Sequence, residues 1–389
     1  MMNMMLRLIS FMSLLLLLGS CDCSQNQIEV SVTNPLNMDR GIETVELALA
    51  ELKVDHGIIV LDEKSGMEIR SQLLDKNQDG VSETVIFQTA LKASETKNFV
   101  IKEGKTELEP TEVKTFARFV PERTDDFTWE NDKVAFRVYG PEAQRMVEAG
   151  EKGGTLSGGV DCWLKKVDYS IIDKWYKGNT EKIGYYHNDH GEGLDNYHVG
   201  PSCGCGGTGV MVDGELFPHL NYTGYKVLTN GPIRTEFDLD YAPYLAGEST
   251  IKERKKVSID LGSNLTKFVI EVEGTDTLTA GITLHDKLGE ISVDEESGWA
   301  SYWSPHFGEE LGNAIVADAK YFAGTSKIVS DVKDKSHLLL HLKVIDGKVE
   351  YYTGFAWSGS KQFKNKQAWE EYLTNFRKTI NKPFVTKVK

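Results

Sequence analysis

The sequence predicts a mostly β protein: a large antiparallel β-sandwich with a smaller N-terminal β-rich region and a helix near the C-terminus. Three observations carry this expectation. Apolar and polar residues alternate at period two in Ile28-Glu-Val-Ser-Val32, Val134-Ala-Phe-Arg-Val138, Val257-Ser-Ile-Asp-Leu261, Phe268-Val-Ile-Glu-Val272 and His337-Leu-Leu-Leu-His-Leu342. Turn-forming Gly, Asn and Asp separate such runs at about ten-residue intervals, as in antiparallel sheets. No fixed-period repeat is present, which disfavours a propeller or solenoid. The 389 residues, with 36 Gly, 10 Pro and 26% charged side chains, fit a globular chain long enough for one large or two medium domains.

Taken in order, the chain opens on Arg7, an apolar run from Leu8 to Leu18, and then Leu18-Gly19-Ser20-Cys21. This is a signal peptide over residues 1–20 ending in a lipobox-like site, with Cys21 as the lipidated new N-terminus. The run is shorter than the roughly 20 residues that span a bilayer, which argues against a membrane anchor. The expected product is an exported lipoprotein at the outer membrane, attached through its N-terminal lipid alone. Residues 21–27 form a polar tether, 28–115 the N-terminal β-rich region, and 116–389 the catalytic β-sandwich region. Helical periodicity stands out at Lys366–Thr379, where Trp369, Leu373 and Phe376 share a face. A shorter helix is expected over Glu142–Ala149. Cys203-Gly-Cys205 is too tight for a mutual disulfide. Cys162 can pair with either of these two, but buried thiols are the preferred reading.

The charge balance, 44 Lys and Arg against 58 Asp and Glu for a net −14, argues against a general nucleic-acid binder. It leaves room for an acidic substrate wherever basic side chains cluster.

Several segments carry chemistry. Asp75-Lys-Asn77-Gln-Asp79-Gly80 resembles the first half of a calcium loop, but its twelfth position is Ile86 rather than Glu, and flanking alternation favours a hairpin turn. The charged stretch Arg118–Asp132 reads either as a salt-bridged loop locking two sheets or as a source of Arg for a carboxylate. Gly158–Tyr169 and Asp173-Lys174-Trp175-Tyr176 interleave Lys with aromatic residues, a pattern suited either to an acidic sugar or to a packed edge strand. The densest segment runs from Tyr185 to Gly207. Its first fourteen residues hold three His (His187, His190, His198), three carboxylates (Asp189, Glu192, Asp195) and three Tyr (Tyr185, Tyr186, Tyr197), with six Gly among or after them. Such a run forms an irregular loop rather than a helix. Its residues suit acid–base catalysis with His and Tyr as proton carriers and the carboxylates fixing tautomers. A metal held by His187, His190 and a carboxylate is the alternative. His219, Arg234 and His285-Asp286 are secondary candidates. Trp299, Tyr302, Trp303 and His306 form an aromatic group that reads as core before sugar-stacking wall.

Arg118-Phe-Val-Pro-Glu-Arg123, Asp126-Phe-Thr-Trp-Glu-Asn131, Asp173-Lys-Trp-Tyr176 and His187-Asn-Asp-His-Gly-Glu-Gly193 running into Val199-Gly-Pro201 resemble an exported family of Bacteroidetes proteins, catalogued as a domain of unknown function and found in polysaccharide-utilisation clusters. One branch of that family looks like the ulvan oligosaccharide dehydratases of marine bacteria. The resemblance implies removal of water from a non-reducing-end glucuronic or iduronic acid attached to sulfated rhamnose, giving a 4,5-unsaturated uronic acid. Gly231-Pro-Ile-Arg-Thr-Glu236 and the strands after it resemble the supersandwich of galactose-mutarotase-like proteins. The chemistry needs a neutralised carboxylate, a base for the C5 proton and an acid for the C4 hydroxyl. No cofactor is required for it, although a divalent metal is compatible. His187 or His190 is the expected base, Tyr197 the acid, with His198 beside them. Arg234 and Lys174 are expected on the carboxylate, and Trp163, Glu192, Asp195 and His285 around the sugar. Two competing readings are a lyase that breaks a glycosidic bond by β-elimination and a lipid-anchored glycan-binding protein without turnover.

Overall fold

A computed structural model describes residues 27–52, 57–109 and 111–389. The signal peptide, Cys21 and most of the tether lie outside the described residues. Among the described residues no helix is long and apolar enough to cross a membrane.

The molecule is mostly β and antiparallel throughout its named strands. Two small sheets form the N-terminal region. One orders Val385–Val388, Gln27–Thr33, Thr96–Glu103, Ile58–Asp62 and Glu68–Ile69; the other orders Arg40–Ala48, Thr84–Leu91 and Ser71–Leu74. Val30, Val32, Val45, Phe87, Phe99 and Ile101 fill the space between them. The last strand belongs here: Val385 to Val388 pair with Thr33 to Val30. The expected boundary at 115 therefore holds for only one crossing of the chain, because its C-terminal end returns to complete the first sandwich. Arg40 fixes that return by stacking 3.9 Å from the Phe384 ring and donating to the Lys382 carbonyl.

The larger region packs one long sheet against two five-stranded ones. The long sheet runs Tyr222–Thr229, Arg234–Tyr241, Ser249–Asp260, Leu265–Glu273, Lys348–Trp357, Glu309–Ala317, Trp299–His306, Glu290–Asp294. In Ser249–Asp260 every second residue from Ile251 onward is buried, as one covered sheet face requires. One five-stranded sheet orders Glu215–Pro218, Cys205–Val212, Thr277–Thr283, His337–Lys343 and Phe322–Ile328. The other orders Gly193–Leu194, Asp161–Lys165, Ala135–Val138, Asp126–Glu130 and Phe116–Val120. A single core joins all three, through residues such as Phe127, Phe136, Ile282, Leu340, Phe237 and Phe268.

The C-terminal helix Lys366–Asn381 buries Trp369 and Leu373 with Phe376 half-buried beside them, and Asn365 caps it by accepting from the Ala368 amide. The short helix Pro141–Glu148 also forms where alternation breaks. A third helix, Ile172–Glu181, replaces the packed edge strand weighed for the Lys174 segment. Glu130, fully buried, accepts from the Ile171 and Ile172 amides at its start, and Lys165 neutralises it at 2.7 Å. A carboxylate is favourable at that position because the first amides of a helix have no partners within it.

The Asp75–Gly80 loop is the turn between Ser71–Leu74 and Thr84–Leu91, as its flanking alternation implies. Asp75 accepts from the Gln78 and Gly80 amides, and Asp79 from that of Val81. Cys162, Cys203 and Cys205 are free, buried thiols.

Candidate functional site

The 185–198 loop crosses from the sheet containing Asp161–Lys165 to the end of the sheet containing Thr277–Thr283. Its course is set by close packing at glycine. Gly193 has φ +110°, and a Cβ there would stand 1.9 Å from the Leu164 carbonyl oxygen, so only glycine lets Gly193–Leu194 pair with Asp161–Lys165. Gly200, at φ +56°, likewise leaves room for the pair formed by His198 Nε2 and Asp334 Oδ2 at 3.0 Å. Asp189 shapes the turn between, accepting from the Gly191 and Gly193 amides while pairing with Lys166 at 2.5 Å.

Beneath the first half of the loop is a buried network centred on Arg137, a residue that the sequence did not single out. Arg137, 5% exposed at its side chain, donates to Asp195 at 2.8 Å and pairs with Asp161 at 2.5 Å and Asp126 at 3.7 Å. Arg123 bonds to Asp126 at 2.6 Å, and the Tyr176 hydroxyl donates to the same carboxylate at 2.8 Å. Burial opposes the charge on Arg137, but Asp195, Tyr139 and Asp161 outweigh it and raise its pKa well above the usual range. Burial pushes Asp126, Asp161 and Asp195 upward, against the opposing pull of Arg137. Arg123 is the member that reaches the surface, with 24% of its side chain exposed.

His187 stands over this floor. Its Nδ1 is 2.5 Å from the Asp195 carbonyl oxygen and 3.7 Å from the Asp195 carboxylate, and its side chain is 55% exposed. The carbonyl can only accept, so Nδ1 carries a proton. His190 is placed differently. Its ring stacks on Tyr185 at 4.0 Å and bonds through Nε2 to the Tyr185 carbonyl. The two imidazoles are thus held by separate partners and do not converge as ligands of one metal ion. Among the described residues, Asp75, Asp79 and Glu83 are the group whose ligand atoms come within 4.8 Å of one another.

The second half of the loop faces other partners. Tyr197 is buried and edge-on to His285, with ring centroids 5.0 Å apart, and its hydroxyl finds no hydrogen-bond partner among the described residues. His285 Nε2 is likewise unpartnered. His306 bonds to Asn196 at 2.8 Å, and the His198 and His285 rings lie 6.2 Å apart. Burial lowers both His285 and His306 to about 4, leaving neutral imidazoles at neutral pH. Burial also raises the Tyr197 phenol well above its ordinary value, so it keeps its proton.

The remaining expected residues divide. Glu192 is buried and accepts from Tyr169, from Lys174 at 2.5 Å and from the Trp175 indole at 3.2 Å. Burial would raise its pKa, but these bonds prevail and hold it low. Lys174 keeps 57% of its side chain exposed beside the loop. Trp163 is not a sugar platform: it is fully buried, stacked on Trp175 at 5.3 Å and covered by the Arg137 guanidinium at 5.1 Å. Arg234 is also elsewhere, gripping Asp260 at 2.6 Å and reaching Glu46 of the N-terminal region at 2.9 Å. It joins the two sandwiches. His219 is buried against Lys255, its Nε2 2.6 Å from the ammonium. Arg123, read from its charged motif as a carboxylate partner or a sheet lock, lies beneath the loop on Asp126.

Fold and loop together define a large antiparallel β-sandwich protein carrying a glycine-shaped loop of titratable residues. The chain belongs to the family described as Domain of unknown function (DUF4861), whose model matches residues 32–386. It is 47% identical over 362 residues to a protein of Formosa agariphila named Uncharacterized protein P7, covering 91% of each. Among solved structures, an α-mannosidase from Enterococcus faecalis V583 matches 93% of this chain at 10% identity and a TM-score of 0.50. The chain spans 46% of that enzyme's length, and the likeness is one of fold alone.

Proposed function

We propose that this protein is a carbon–oxygen lyase of the dehydratase type, removing water from the non-reducing-end uronic acid of ulvan oligosaccharides. The observation that carries the reading is the posture of His187. The His187 imidazole, held by the Asp195 carbonyl and 55% exposed at its side chain, stands over a floor from which Arg123 reaches the surface. Arg123 is positioned to take the substrate carboxylate, making the C5 proton more acidic. His187 Nε2 removes that proton, and its electron pair forms the C4–C5 double bond as the C4–O bond breaks. The departing hydroxyl takes the Tyr197 proton and leaves as water, and the phenolate is reprotonated from the imidazolium through solvent. The lipobox-like Leu18–Cys21 adds that the enzyme is exported and lipid-anchored at the outer membrane.

The test is incubation with ulvan oligosaccharides ending in a saturated uronic acid, following ultraviolet absorbance of the conjugated product and its mass. A dehydratase gives absorbance with loss of one water. Two smaller fragments instead would make the protein a β-eliminating lyase. Replacing His187 by Ala should lower turnover by about 10²–10⁴, the usual contribution of a general base. Turnover within threefold of the unaltered enzyme would remove His187 from the mechanism.

A further inference from the structure

The turn between Trp299–His306 and Glu309–Ala317 holds a residue that neither folding nor packing explains. The hairpin closes at the His306–Glu309 pair, so its loop is Phe307-Gly308, and both residues have positive φ, +50° and +86°. Two-residue hairpins of this kind favour Asn-Gly or Asp-Gly, because a side chain such as Phe is strained at positive φ. Phe307 is nonetheless present and is 81% exposed, so no burial offsets the strain. Its ring meets His306 edge-on at 5.0 Å.

Other unexplained features gather around the same point. His285 has φ +29° and Lys287 φ +63°, a second strained segment, followed by Leu288 at 74% exposure. The Tyr197 hydroxyl and His285 Nε2 are buried and unpartnered, at rings 5.0 Å apart. Buried polar atoms without partners are rare, and strain of this sort concentrates where a ligand is held. The charged groups close to these rings are Asp286, which accepts from Tyr302, and Asp334, which pairs with His198.

We propose that His198, His285, His306 and Phe307 form a sugar-binding subsite for an unsulfated, hydroxyl-bearing ring of the same oligosaccharide, with Phe307 as its stacking platform. The inference rests on the uronide reading for its place in the substrate, but not for its chemistry. An exposed aromatic face covers the C–H face of a pyranose, and neutral imidazoles donate to or accept from its hydroxyls. A sulfate or carboxylate would instead ask for Arg, Lys or protonated His, and both His285 and His306 are uncharged at neutral pH. The subsite therefore selects an oligosaccharide over a free uronic acid, while charge recognition stays at Arg123.

Two measurements on the mature protein test this. Saturation-transfer NMR with millimolar methyl rhamnoside, methyl xyloside and methyl galactoside reads binding without turnover. At least one should bind, and Phe307→Ala, an exposed change that leaves the core intact, should weaken it by about tenfold. His306→Asn should weaken it as well. Steady-state kinetics should then show Phe307→Ala raising KM for an ulvan tetrasaccharide about tenfold with kcat within twofold, while methyl glucuronide is handled unchanged. Binding of a neutral glycoside without turnover of any uronide leaves this subsite standing and sinks the dehydratase reading. If no neutral glycoside binds, or Phe307→Ala and His306→Asn bind them as well as the unaltered protein, the subsite is wrong.

Discussion

The two halves of the 185–198 loop rest on opposite kinds of surroundings. Under Asp195 the side chains are charged, buried and largely paired, with one guanidinium serving three carboxylates. Around Tyr197 the side chains of Tyr197, His285 and His306 are uncharged, His285 is strained, and the Tyr197 hydroxyl and His285 Nε2 lack partners, while His198 pairs with Asp334. A paired charge network is costly to desolvate and gains its value from fixing positions rather than from reacting. Unpartnered buried polar groups gain no hydrogen bond from the fold. In the proposed reaction the first half is the mount for His187 and the second the receptive surface.

The sharpest way to break this comparison is to remove the mount. Arg137→Met leaves Asp161 and Asp195 without the guanidinium they touch, with Arg123 still on Asp126. Removing one partner of a buried ion pair costs about 3–5 kcal/mol, and a urea titration should show a loss of this size. A loss under about 1 kcal/mol would mean that the carboxylates protonate without penalty and that the network does not fix the loop. The receptive half should respond in the opposite manner. Tyr197→Phe deletes a hydroxyl that makes no hydrogen bond, so the urea midpoint should hold within about 0.5 kcal/mol. Turnover should still fall by about 10²-fold or more, because the proton donor is gone. A drop in stability with turnover intact would reverse the roles given to the two halves.

Acid should separate them by sign. His285 and His306, and His219 and His337 elsewhere, titrate near 4 when folded against about 6.5 when unfolded. The unfolded chain binds more protons between those values, so these groups lose stability as pH falls from about 6.5 to 4. Asp126, Asp161 and Asp195 are shifted upward, so the folded chain protonates first and their contribution grows as pH falls. Melting temperature measured across this window should fall less steeply in His306→Asn and more steeply in Asp195→Asn than in the unaltered protein. Parallel curves for all three would deny the two halves their opposite titration.

How much of this was legible beforehand depends on what a side chain meets. Strands with one covered face, such as Ser249–Asp260, announce themselves by alternation. Arg137 was hidden by that same rule: in Val134–Val138 it occupies the polar slot, yet all four residues of Ala135–Val138 are buried because both faces of that sheet are covered. The loop could be found from composition, since nothing else packs three His and three carboxylates among glycines. Its partners could not, because Asp334 and His306 arrive from 136 and 110 residues away. Arg234 shows the limit most plainly. Its motif looked catalytic, and its partner Glu46 lies 188 residues upstream in the other sandwich.

The smallest expected effect discriminates between the two histidines that the sequence treated as equals. His190 sits in the same loop as His187, but its ring nitrogen is occupied by the Tyr185 carbonyl and its face by the Tyr185 ring. Nothing orients it from below as Asp195 orients His187. His190→Ala removes an exposed stacking contact worth about 0.5–1.5 kcal/mol at most, within a turn already held by Asp189, Gly191 and Gly193. Turnover should stay within about threefold, with no change in the pH at which activity is half-maximal. An activity loss matching that of His187→Ala would mean that orientation by Asp195 does not decide which imidazole is the base. The distinction between a mounted and an unmounted histidine would then fail at the point where the two are chemically most alike.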